Sequence, residues 1–287
     1  MIAYERRSTP LHIARAGAGA AYCGALALGA MLFDHPAVLG ALGLAALGAG
    51  VASGVGRRLA ATVRLGLGLL VLIAAVNALV SREGLTVVAR LGTVPVLGRI
   101  DITLEALAYG LVSGLRVIVL VLAAALYVAA VDPDEVLRAF RRVSFRSALT
   151  ATLATRMVPI LARDATRLSD AQRCRPGAPA GRLALVRAVA GGALDRAVDV
   201  AAALEVRGYG VGGRPARSRR AWSRHDLGFA VAAAALAAGL VVARIAGLAV
   251  LEPYPRFVAD TGAGTWLLAV AVLLVAALPH LDRRGVG

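Results

Sequence analysis

Residues 106–142 read ALAYGLVSGLRVIVLVLAAALYVAAVDPDEVLRAFRR, and this stretch decides the fold. Its first 26 residues, 106–131, are apolar except for Arg116. A helix that crosses a bilayer needs about 20 such residues. The run stops at a helix-start signal: Asp132 is placed to be an N-cap, Pro133 suits the first helical position, and Glu135 sits at N3 as in a capping box. Beyond it, Val136, Leu137, Phe140 and Val143 form an apolar stripe, with Arg138, Arg141 and Arg142 away from it. One membrane-spanning helix therefore hands over to an amphipathic, Arg-rich helix at the membrane surface.

Working outward, the same apolar pattern recurs on both sides. Residues 16–33, 36–56 and 65–81 precede the decisive stretch, and 227–249 and 261–281 follow it, which makes six candidate spans. Of the 287 residues 59% are hydrophobic, above the roughly 45–50% of soluble domains. The first two spans are mostly Ala and Gly. No convincing cleavage site separates them, so the N-terminal run reads as a span rather than a leader peptide. The expected fold is an all-α polytopic membrane protein with about six transmembrane helices and a pair or trio of long amphipathic helices outside the bilayer.

Charge divides the chain into three parts: a four-span membrane part at 1–131, an Arg-rich domain at 132–225, and a two-span membrane part at 226–287. The central part carries 18 Arg against 8 Asp or Glu, and none of its windows is apolar enough to cross a bilayer. With the N-terminus in the cytoplasm, Arg6, Arg7, Arg57, Arg58, the central block, Arg283 and Arg284 all lie inside; only Arg82, Arg90, Arg99 and Arg256 lie outside. The positive-inside rule selects this orientation, with both termini cytoplasmic in the cell (inner or plasma) membrane. The longest outer connection is 82–104, where Val87, Val88, Leu91 and Val94 are placed to rest on the interface.

Several chemistries are excluded. All 32 basic residues are Arg, so the chain has neither the Lys of a nucleotide-binding P-loop nor that of a Schiff-base enzyme. Cys23 and Cys174 make no disulfide framework, and His12, His35, His225 and His280 are scattered without ligand spacing. No metal site, no cofactor, no catalytic residue and no nucleic-acid partner is expected on this chain. The lipid bilayer is its solvent.

Within the central block a second helix spans about 147–173. There Leu149, Leu153, Met157, Ile160, Leu161 and Leu168 recur at helical spacing, with Arg156, Arg163 and Arg167 on another face. Pro159 lies inside this pattern and should bend it. After the breaker Pro176-Gly177-Ala178-Pro179, a third helix spans about 181–206 with Leu194, Val198, Ala201 and Glu205 on one face, and stops at Gly208. Such helices fit either anionic lipid or a protein partner. The signatures at their ends favour a protein. Ala171-Gln172-Arg173-Cys174-Arg175-Pro176-Gly177 and Ala203-Leu204-Glu205-Val206-Arg207-Gly208-Tyr209-Gly210 each place an Arg at a helix end, beside a Gly-containing stop. A cation there is favoured by the helix dipole, and its guanidinium can grip a partner's carboxylate in bidentate fashion.

In these features the chain resembles the transmembrane T-component of energy-coupling factor transporters, the EcfT/CbiQ family that includes the cobalt transporter permease. Ser8-Thr9-Pro10-Leu11-His12 looks like the family's entry segment. Asn77, the run Asp101-Ile102-Thr103-Leu104-Glu105-Ala106-Leu107 and Leu115-Arg116 follow in family order. Asp132-Pro133-Asp134-Glu135-Val136-Leu137 resembles the start of the coupling domain, Arg156-Met157-Val158-Pro159 the family's Arg-x-x-Pro, and the two helix-end signatures its paired Ala-Arg-Gly motifs. Asp226 also has a counterpart. The first signature departs from the pattern, with Cys174 for Ala and Pro176 between Arg175 and Gly177; the second has Val206 for Ala.

The resemblance implies a non-catalytic coupling subunit of an ABC-type uptake transporter for a vitamin or for cobalt or nickel. Its implied partners are two ABC ATPase subunits, a homo- or heterodimer at the cytoplasmic face, and a membrane-embedded S-component that binds the substrate. Ala171, Gln172, Arg175, Gly177, Glu205, Arg207 and Gly208 are implied as ATPase-coupling residues, and Arg156 with Pro159 as a structural bend. Arg116 reads as a snorkelling residue or a partner of Glu105 or a backbone carbonyl, and Asn77 as an interhelical hydrogen bond; the Gly50/Gly54 and Gly110/Gly114 pairs read as points of close helix approach, used either for internal packing, which is favoured for the first pair, or as a surface for the S-component. The alternative is a secondary transporter or other permease with an Arg-rich, lipid-binding cytoplasmic domain. It would need midplane acid or His groups and repeated broken helices, which the spans scarcely supply. An intramembrane enzyme would need a Ser–His or paired-Asp constellation, and the spans contain none.

Overall fold

The computed structural model describes residues 7–80, 86–94, 98–140, 145–174, 181–208, 221–252, 258–259 and 261–282. They form ten helices and two short antiparallel ribbons. In order these are α1 (Pro10–Ile13), α2 (Ala16–Leu32), α3 (Pro36–Ala52), α4 (Gly56–Val80), β1 (Val87–Val94), β2 (Gly98–Thr103), α5 (Leu104–Ala130), α6 (Pro133–Phe140), α7 (Phe145–Arg173), α8 (Arg182–Val206), α9 (Arg224–Ile245), β3 (Leu251–Glu252), β4 (Val258–Ala259) and α10 (Ala263–Leu281). The chain divides into two compact units, one made of residues 1–136 with 222–287 and the other of residues 137–221.

The first unit is the all-α membrane body. Four of its helices, α4, α5, α9 and α10, are long and apolar enough to cross a bilayer. The remaining two expected spans, α2 and α3, have 17 residues each. At 1.5 Å per residue they reach about 26 Å, at the short limit for a hydrocarbon core of about 30 Å. Helix α5 lies against α2, α3 and α4, while α2 packs along α9 and α3 along α10. The core between them is built from Tyr22, Leu26, Phe33, Leu39, Leu42, Val119, Leu122, Leu126, Phe229 and Leu240 with many Ala. Tyr22 donates its hydroxyl proton to the Ala276 carbonyl at 2.9 Å, and its ring meets Phe229 edge-on. Outermost is α4, with Leu65, Val71, Leu72 and Val80 exposed, as a lipid-facing helix requires.

Several boundaries shift for local reasons. Helix α3 stops at Ala52, short of the expected 56, because Gly54 turns the chain with φ of 72°. Helix α4 begins at Gly56 and includes Arg57, Arg58 and Arg64 ahead of the uncharged run. Thr103 starts α5 by accepting a hydrogen bond from the Ala106 N–H at 3.3 Å. Helix α9 starts at Arg224 through a reciprocal capping box between Ser223 and Asp226, and ends at Ile245 rather than 249, ahead of Gly247 at φ 69°.

One interhelical expectation is resolved and another is corrected. Gly110 and Gly114 face α4: a Cβ on Gly110 would lie 2.7 Å from the Ala74 Cα, and one on Gly114 2.9 Å from the Leu70 Cα. The pair is therefore consumed by packing inside the body. Asn77 donates from Nδ2 to the Ile73 carbonyl at 3.0 Å, within its own helix rather than across to another. The ribbons were not expected from the sequence. β1 and β2 pair from Val87↔Thr103 to Val94↔Gly98 with two register shifts, and they occupy the 82–104 connection. The side chains of Val88, Leu91 and Val94 lie outside what is described.

Candidate coupling interface

The second unit consists mainly of α7 and α8, which pack on each other. On α7 the stripe of Leu149, Leu153, Met157, Ile160, Leu161 and Leu168 is half-buried, and Arg156, Arg163 and Arg167 are exposed. Pro159 lies inside the continuous helix, and its carbonyl accepts from the Arg163 Nε at 3.2 Å. On α8 the half-buried residues are Leu185, Val189, Ala193, Arg196, Val200 and Leu204, at spacings of three and four. The face that Leu194, Val198, Ala201 and Glu205 share is a different one. Leu194 and Val198 on that face are 68% and 62% exposed, and Ala201 and Glu205 are exposed beside them. Arg196 Nη2 and Asp164 Oδ2 pair at 3.0 Å and pin α8 to α7.

The helix ends carry the proposed contact groups. Arg207 is the C-cap of α8, with φ −81° and ψ 7°, and its N–H donates to the Ala203 carbonyl at 3.2 Å. Gly208 follows at φ 77°, and its N–H donates to the Glu205 carbonyl at 2.8 Å. Glycine accepts that left-handed turn without steric cost, which is why the helix stops here. Arg207 is left exposed on the last turn. At the end of α7, Ala171 and Cys174 are exposed and Gln172 is half-buried. Arg173 meets Asp170 at 4.0 Å in a largely solvated pair, worth little in such surroundings. Arg175 and Gly177 lie outside the described residues.

In the membrane body, polar groups gather where the chain leaves for the second unit and returns from it. Asp132 accepts from the Asp134 N–H at 2.9 Å, which confirms it as the cap of α6. The Glu135 carboxylate accepts from the Ala16 N–H at 3.0 Å, and so caps the start of α2. The N–H of Arg15 donates to Asp226 Oδ1 at 2.7 Å, and its Nε lies 3.2 Å from Asp226 Oδ2. Asp226 is fully buried, and the Arg15 guanidinium also lies over the Trp222 ring at 5.2 Å. His12, on α1, shares a hydrogen bond with Thr9. Burial holds its imidazole below the ordinary value, and Arg7 lowers it further, against a backbone hydrogen bond at Ala129 that raises it.

Halfway along α5, Arg116 forms an ion pair with Asp34, which joins α2 to α3. This corrects the expectation that it pairs with Glu105 or a carbonyl. Glu105 instead accepts from the Thr86 N–H, ahead of β1, at 3.2 Å. His35 caps α3 by accepting from the Ala37 N–H, and His280 stacks edge-on with Tyr22 and Phe229. Among the described residues, no group of three or more His, Cys, Asp or Glu is placed to hold a metal ion.

The family model CbiQ, described as cobalt transport protein, matches residues 7–217. The matched segment contains the first four spans and all of α6, α7 and α8, and ends before α9; Asp226 lies beyond it. No curated protein matches the chain.

Proposed function

Because the chain belongs to the CbiQ cobalt transport protein family, we propose that it is the energy-coupling transmembrane subunit of an ABC-type uptake system for a transition metal or a vitamin. On this reading, ATP is hydrolysed by two partner ATPase subunits at the cytoplasmic face, and α7 and α8 carry their movement to the membrane body. The body in turn acts on a membrane-embedded S-component that holds the substrate. The chain performs no chemistry of its own, in keeping with its lack of any lysine.

The observation that carries this reading is the outer face of α8. Leu194 and Val198 are exposed on a helix whose other side already packs on α7, and the same helix ends in an exposed Arg207 backed by the Gly208 turn. An apolar face with a cation at its C-terminal end suits a groove that supplies apolar walls and a carboxylate. Arg175 and Gly177 are assigned the equivalent role after α7 on the strength of the resemblance, with Ala171, Gln172 and Glu205 alongside and Arg156 and Pro159 setting the course of α7.

Arg207→Glu tests it. If Arg207 pairs with a desolvated acid, its loss costs about 2–5 kcal/mol; if it only touches lipid headgroups, about 1 kcal/mol. Arg207→Glu should leave expression and insertion intact, weaken co-purification of the ATPases and abolish uptake. Arg220→Glu, outside the motif, should be nearly silent. Normal uptake and normal ATPase co-purification by Arg207→Glu would refute the assignment.

A further inference from the structure

The two segments that connect the units are fastened to the same place. Glu135 comes two residues before the second unit begins at Leu137, and Trp222 is the first residue after it ends. Glu135 accepts from the Ala16 N–H, while Asp226, four residues after Trp222, accepts from the Arg15 N–H and pairs with its guanidinium. Trp222 itself lies under that guanidinium. Outgoing and returning chain thus both hold the first two peptide groups at the start of α2, through charge-assisted hydrogen bonds of 3.0 and 2.7 Å. These bonds are directional and about twice as strong as neutral ones. The N-terminal amides of a helix have no partners within the helix, so carboxylates supplied from elsewhere become their partners and grip the helix as a whole.

From that end α2 runs as a packed rod between α9 and α5 to Phe33, and the next residue, Asp34, pairs with Arg116 in the middle of α5. We infer that the Arg15–Ala16 joint is where displacement of the second unit enters the membrane body, and that α2 is the helix that carries it. Glu135 and Asp226 are then positioning residues, acting through α2. The inference deepens the coupling reading and rests on it.

The test uses the full chain co-expressed with its two ATPase partners. Cys23 and Cys174 are replaced by Ser, and Met31, exposed at the far end of α2, becomes the single thiol through Met31→Cys. Its alkylation rate is measured with and without ATP, and ATP hydrolysis is followed in the same preparation. ATP should change the rate several-fold with the joint intact. Glu135→Ala should remove most of that change, since losing one hydrogen bond to a charged group is worth about tenfold, while ATPase association and hydrolysis persist. Glu135→Gln, whose amide oxygen still accepts from Ala16, should restore it. A purely structural role for Glu135 would lower yield and association together and would not single out the ATP-dependent difference. An unchanged ATP response in Glu135→Ala, or no response with the joint intact while ATP is hydrolysed by the complex, overturns the inference and leaves the coupling reading standing. Failure of the unmutated chain to associate with the ATPases removes both.

Discussion

A guanidinium halfway along an apolar helix needs an acid within reach of its own side chain, because a lone charge at that depth is costly. Arg116 finds Asp34, which the turn after α2 carries to the middle of α5. Breaking such a pair from one side leaves an uncompensated charge, whereas replacing both partners removes the problem. Asp34→Asn should therefore lower thermal stability in detergent, by about 1.5–3 kcal/mol for a hydrogen bond to a charged group. Asp34→Asn combined with Arg116→Met should recover much of the loss. A double variant no more stable than Asp34→Asn alone would show that the pair is not a thermodynamic unit. The choice of partner was not legible in the sequence. Glu105 lies on the same helix, but eleven residues are about 16 Å of rise, and only the tertiary fold brings Asp34 near. Arg207 is the opposite case: its role as a helix-end residue follows from Gly208 beside it, and the local geometry agrees.

At the scale of elements, α4 depends on α5. Gly110 and Gly114 let the two backbones approach so closely that a methyl group at either position would run into backbone atoms of Ala74 or Leu70. Gly114→Leu should force them apart and destabilise the body by about 1–3 kcal/mol or more, as overpacking does. Gly68→Ala, with open space around it, should be neutral or stabilising, by up to about 1 kcal/mol from helix propensity. Thermal unfolding in detergent separates the two, and equal effects would contradict the packing. Helices α2 to α10 were legible because each has a long apolar run or a repeat near 3.6, bounded by caps such as Asp132-Pro133 and Gly208. The packed side of α8 was not. Ala193 and Val200 bury no better by composition than Ala201 and Val198, and only the partner helix α7 decides which stripe is covered. The β1–β2 ribbon was not legible because residues 82–104 mix charged, small and apolar side chains without a clean alternation.

For the whole molecule, Arg asymmetry implies that both termini and the Arg-rich unit face the cytoplasm. Reporter fusions after Gly213 and Gly287 should both give cytoplasmic signals, and an external signal at Gly213 would invert the architecture. Apolar runs and the density of Arg are legible in the sequence because hydropathy and charge act over whole segments. What could not be read is that α2 packs along α9 and α3 along α10, since helices rich in Ala and Gly carry little to distinguish one neighbour from another.

That pairing has a consequence for how the protein is made. Arg15 and its buried partner Asp226 are 211 residues apart, and synthesis at about 5–20 residues per second puts roughly 10–40 s between their appearances. In that interval the ribosome completes the first four spans and then makes the Arg-rich unit, while α2 sits in the bilayer without α9. The face of α2 that carries Tyr22 and Gly29, covered in the finished protein by Phe229 and Leu240 of α9, is then open to lipid or to a quality-control protease. A chain truncated after Ala221 should insert its first four spans and yet be degraded faster than the full-length protein in pulse-chase labelling, and a separately expressed fragment of residues 222–287 should lengthen its lifetime. The nascent protein is thus a half-closed clasp, and its last two helices are a maturation step.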